Sequence, residues 1–119
     1  MPTMNNQIIS MHRGDSLSYP IFINIGTKAL PMRYALQEGD TLVVGVMEPN
    51  QPFGRALMMR ELTKDDANAH GDAVFSLSPE DTERMLPGMY YYEAKLYCLR
   101  DGSEMAYTVV PRRKFVLVE

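Results

Sequence analysis

The stretch from Ser78 to Tyr97, Ser-Pro-Glu-Asp-Thr-Glu-Arg-Met-Leu-Pro-Gly-Met-Tyr-Tyr-Tyr-Glu-Ala-Lys-Leu-Tyr, leaves this chain few folds to choose from. From Met89 onward the side chains alternate. Tyr90, Tyr92, Ala94 and Leu96 fall on one face, and Tyr91, Glu93, Lys95 and Tyr97 on the other, which is the period of a strand. The face carrying Glu93 and Lys95 is expected to look outward. Ahead of the strand, Pro79 sits where a missing N–H costs nothing, Ser78 can cap, and Glu80 and Asp81 put negative charge at the positive end of a helical turn. Pro87 and Gly88 then stop that turn. A short helical turn feeding a long half-buried strand is the expectation.

Leu86-Pro87-Gly88-Met89-Tyr90 has the form of a tyrosine corner, in which a tyrosine entering a strand of a sandwich bonds its hydroxyl to backbone a few residues upstream. A half-buried phenol needs such a partner. The expected donor is Tyr90 and the expected acceptor the backbone around Leu86. The alternative is three strand-prone tyrosines with no special bond. Either reading is architectural and leaves activity open.

The rest of the chain repeats the strand signal. Residues 7 to 12 predict an edge strand ended by Arg13-Gly14-Asp15, a turn in spite of its likeness to an integrin-binding tripeptide. Leu17, Tyr19, Ile21, Ile23 and Ile25 alternate with Ser18, Pro20, Phe22 and Asn24, and Pro20 implies an edge or a bulge. Residues 26 to 40 read as a connection with a short strand at Met32 to Leu36. Thr41 to Glu48 is nearly continuously apolar, as in a strand covered on both faces. Pro49 to Gly54 turns the chain, and Ala56 to Leu62 returns antiparallel with an ambiguous inward face. Asp72 to Leu77 alternates again. Asp101-Gly102 is a hairpin turn, so the Tyr90 strand is followed by an antiparallel neighbour through Val110. Pro111 interrupts that neighbour, and Lys114 to Val118 completes it after a bulge or forms a last strand.

Seven or so short strands at this spacing predict one all-β domain over residues 1–119, an immunoglobulin-like antiparallel β-sandwich with one helical turn before the Tyr90 strand. A barrel is the runner-up. The strands are too close together for crossover helices. A chain of 119 residues can bury enough surface to fold without disulfides or metal.

A net charge of −3, with one basic cluster at Arg112-Arg113-Lys114, gives no footprint for a nucleic-acid duplex. No apolar run approaches membrane-spanning length, and Met1 to Gln7 has no signal-peptide pattern, so a soluble chain made in the cytoplasm is expected. The single cysteine, Cys98, has no disulfide partner within the chain and reads as a small apolar residue. Ten methionines suggest gap-filling core positions more than a soft binding surface.

No catalytic, cofactor-binding or metal residues stand out in the sequence. Asp66-Ala67-Asn68-Ala69-His70-Gly71-Asp72 opens like a calcium loop, but Leu77 stands where the bidentate glutamate belongs and a strand follows instead of a helix. His12 and His70 are too far apart in sequence to suggest a ligand pair. Ser76, His70 and Asp72 share one short segment without a nucleophile turn. Glu80 with Asp81, or Glu93 with Glu104, read as solvated carboxylates.

Arg13-Gly14-Asp15-Ser16-Leu17, Gly39-Asp40-Thr41-Leu42, and above all Leu77 to Thr82 followed by Leu86 to Tyr92, resemble small immunoglobulin-like domains encoded in phages and prophages of Gram-positive bacteria. Those domains are similar to the N-terminal modules of baseplate and tail accessory proteins. The resemblance implies a virion-associated structural or attachment role, protein partners among virion subunits or further copies of the chain, and no catalytic residues to transfer. Because the sequence ends at Glu119, a stand-alone subunit or adaptor is expected. The alternative function is a glycan-binding module, which needs Tyr91 and Tyr97 as a flat platform.

Overall fold

The computed structural model describes residues 8–24, 30 and 32–119. Among them are seven strands, β1 (Ile9–His12), β2 (Leu17–Ile21), β3 (Thr41–Met47), β4 (Met58–Leu62), β5 (Ala73–Leu77), β6 (Gly88–Arg100) and β7 (Ser103–Val118), one short α-helix, α1 (Pro79–Glu83), and two single 3-10 turns, Phe53–Arg55 and Lys64–Asp66. They form a five-stranded sheet in the order β1-β7-β6-β3-β4 and a two-stranded sheet of β2 and β5. The result is an all-β, sandwich-like fold.

The inner faces meet as the alternation dictates. Tyr92, Val44, Val46, Phe115 and Leu117 from the larger sheet pack with Ile21 and Phe75 from the smaller, each no more than 2% exposed. Fully burying side chains of this size contributes about 1.5–3 kcal/mol each. The Tyr92 ring meets Tyr19 edge-on at 6.4 Å between centroids, and burial with this neighbouring phenol pushes the Tyr92 hydroxyl well above its ordinary pKa.

One strand pair departs from the expected antiparallel sandwich. β1 runs parallel to β7, with Ile9 opposite Phe115 and His12 opposite Val118. No crossover helix is needed, because nearly the whole chain lies between these strands. β7 itself is continuous through Pro111, with register shifts against β6 between Tyr92 and Lys95 absorbing the proline. The short strand expected at Met32 to Leu36 is absent. Among the described residues that segment makes one bridge, Arg33 to Asn24, and polar groups pin it: Asn24 Oδ1 accepts from the Met32 N–H at 2.9 Å and the Tyr34 hydroxyl donates to Asp40. The strand predicted through Ile25 ends at Ile21, although Ile23 is still buried. Gln7, Ile25, Gly26 and Pro31 lie outside the described residues.

A partial third layer covers the outer face of β3. The turn at Phe53–Arg55 folds back so that Phe53 and Ala56 lie over Gly45, where an added Cβ would stand 3.0 Å from the Phe53 ring and 3.2 Å from Ala56 Cβ. Lys95 Nζ sits 5.0 Å from the centre of the Phe53 ring. Met47, on the same outward side of β3, is also fully buried.

Candidate interaction surface

The residues singled out from sequence at the start of β6 take up a specific geometry. Pro79 opens α1, and the Asp81 carboxylate accepts from the Ser78 N–H at 2.7 Å and the Ser78 hydroxyl at 3.2 Å. Arg60 of β4 donates to the same carboxylate at 2.5 Å. Burial opposes ionisation of Asp81, but the Ser78 and Arg60 bonds outweigh it and hold the carboxyl below its usual range. After Leu86, Pro87 and Gly88, the buried Tyr90 donates its hydroxyl to the Leu86 carbonyl, four residues back, at 2.6 Å. These groups fix how α1 meets β6.

The polar segments considered for chemistry are committed to local structure. Asp66 accepts from the Thr63 N–H at 2.8 Å, and Asn68 Oδ1 accepts from the N–H groups of His70 and Asp72 at 2.8 and 3.1 Å. Asp72 is buried with its Oδ1 3.4 Å from Arg33 Nε, and Arg33 also lies over Phe22. His12 and His70 are exposed. Ser76 is exposed in the middle of β5, opposite Ser18. Glu93 pairs with Arg112 at 3.6 Å, whereas Glu104 lies near the hairpin tip opposite Leu99. Among the described residues no three His, Cys, Asp or Glu side chains come together as a metal-binding group. Cys98 is a buried thiol. Arg13-Gly14-Asp15 is a turn tied to α1, with the Gly14 N–H donating to Thr82 Oγ1 and Arg13 paired with Glu119 at 2.7 Å.

Tyr91 and Tyr97 share the outer face of β6 but are not brought together. Six residues along one strand separate them, about 20 Å, and the Arg112 guanidinium lies 5.8 Å from the Tyr91 ring centre. The methionines divide between roles. Met11 and Met47 are buried, while Met59, Met89 and Met105 are exposed by 41, 45 and 41%. Met58, Met59 and Met85 line a groove of about 510 Å³ between β4 and α1, with Arg60 and Arg84 across it.

The feature that sequence reading passed over is the reach of the β6–β7 hairpin. β3 ends its pairing with β6 at Thr41 opposite Tyr97, so the last rows, Cys98–Met105, Leu99–Glu104 and Arg100–Ser103, extend beyond the sheet as a two-stranded arm. The arm projects about 10 Å. Every residue from Asp101 to Thr108 is exposed, including Met105 and Tyr107 at 41 and 49%, and Leu99 is 60% exposed on the opposite face. A cleft of about 460 Å³, lined by Tyr34, Leu96, Cys98, Tyr107 and Val109, opens at its base. The sequence carries no signal for this reach, because an exposed hairpin and a covered one alternate alike.

No protein-family model and no curated protein matches the chain. Among the described residues no helix is long and apolar enough to cross a membrane.

Proposed function

We propose that the chain is a non-enzymatic structural or protein-interaction domain of immunoglobulin-like form, serving as a tail or baseplate component of a phage or prophage virion. Lettered in chain order as A, B, C, C′, E, F and G, the strands read A-G-F-C-C′ in one sheet and B-E in the other. That partition, and a tyrosine at the start of F bonded back to Leu86, support the immunoglobulin-like reading. The virion role is supported by the resemblance of Leu77 to Thr82 and Leu86 to Tyr92 to phage-encoded domains.

The observation that carries the interaction reading is the hairpin arm. Apolar side chains on both faces of a ribbon reaching past its sheet are the kind of surface that marks a binding site, and two strands alone are marginally stable in water. Quantitative mass spectrometry of particles purified after prophage induction in the organism carrying the gene tests the virion role. A fixed number of copies per particle is expected. Expression of the protein with none in the particles would contradict it.

A further inference from the structure

The far edge of β7 identifies a partner for this arm, an inference that rests on the interaction-domain reading above. β1 pairs with β7 only over Phe115–Val118, so among the described residues the edge from Ser103 to Lys114 is unpaired on that side. The other edges are short or blunted. β1 has four residues, β2 contains Pro20, β5 is flanked by α1 and the Ala67–Ala73 bridge, and Arg60 ties β4 to α1 by bonding both the Met59 carbonyl and Asp81. Among the described residues only the β7 edge is long and uncovered, and from Ser103 to Val110 it carries one charge, Glu104, and no proline.

The turn sets which backbone groups face outward. Asp101 and Gly102 both have positive φ, 50 and 79°, the signature of a type I′ hairpin turn. Its flanking residues, Arg100 and Ser103, then form the first hydrogen-bonded pair. Counting along the strand, Ser103, Met105 and Tyr107 turn their N–H and C=O groups to β6, while Glu104, Ala106 and Thr108 present theirs to the open edge.

We propose that a second copy of this chain pairs along this edge, β7 antiparallel to β7, continuing the five-stranded sheet across a two-fold axis. Such pairing satisfies both open edges at once. It is also the direction that charge favours. With the pairing centred on Ala106, antiparallel copies set Asp101 of each opposite Pro111 and next to Arg112 of the other, whereas in-register parallel copies would align Glu104 with Glu104 and Arg112 with Arg112. Centred on Ala106, the pairing sets Met105 of each copy opposite Tyr107 of the other and covers both, a favourable thioether–aromatic contact.

Light scattering on the full chain over a dilution series tests the pairing. The mass is expected to fall from twice 13.5 kDa to 13.5 kDa on dilution. Ala106→Pro removes an N–H that faces away from β6, and Ala106→Lys sets two like charges opposite each other at the axis. Each is expected to stay folded by circular dichroism and to weaken association by at least about tenfold, the equivalent of one lost hydrogen bond. A monomer at every concentration, or a dimer that survives both substitutions in folded protein, overturns the proposal. A monomer that still copurifies with particles would overturn the edge pairing alone and leave the virion reading standing.

Discussion

Tyr90 joins the end of α1 to the start of β6 through one hydroxyl. Replacing it with Phe keeps the buried ring and deletes the bond to the Leu86 carbonyl, which sits on an exposed residue and can be hydrated in compensation. Tyr90→Phe should therefore lower unfolding free energy by about 1 kcal/mol in urea titration, and an unchanged midpoint would remove the corner from the account. Asp81 acts through charge. Its bonds hold the folded pKa below the unfolded value of about 4, so its contribution is complete above that pH and drains away as pH falls through the lower folded value. Asp81→Asn should cost about 1 kcal/mol at neutral pH. The gap between variant and parent should close under acid, as read by thermal unfolding at a series of pH values below about 4.

The elements were legible where periodicity carried them. Thr41, Leu62, Leu77 and the Asp101-Gly102 turn stand where alternation and turn chemistry put them, because inward side chains at every second position are what bury these strands. The parallel pairing of β1 was not legible, since alternation fixes a strand's face and says nothing about its direction. The Phe53 layer was missed as well, although Gly45 within the apolar run from Leu42 to Met47 was its signal: a glycine inside a strand marks close approach by another group. Gly45→Ala should cost about 1–2 kcal/mol as Phe53 is displaced. In a Phe53→Ala background the penalty should shrink but not disappear, since Ala56 Cβ still stands 3.2 Å from the added methyl, and a penalty of the same size in both backgrounds would show that Phe53 is not an obstacle.

Across the whole molecule, interior and arm are built differently. The sandwich is closed by complementary inner faces, and its polar side chains are spent on turns, caps and ion pairs that hold β4, α1 and β6 together. Among the described residues the β7 strand of the arm leaves apolar side chains and outward backbone groups unpaired, and that contrast locates the interaction surface. Its functional meaning was hidden in the sequence because an exposed hairpin and a covered one alternate alike. Only the end of β3 pairing at Thr41 and of β1 pairing at Phe115 distinguishes them.

Residue-resolved amide exchange along β7, in concentrated and dilute samples, tests the central claim most directly. The account predicts that Met105 and Tyr107, bonded to β6, are protected in both samples, while Glu104, Ala106 and Thr108 are protected only in the concentrated one. Equal, fast exchange of these three amides at both concentrations would contradict it.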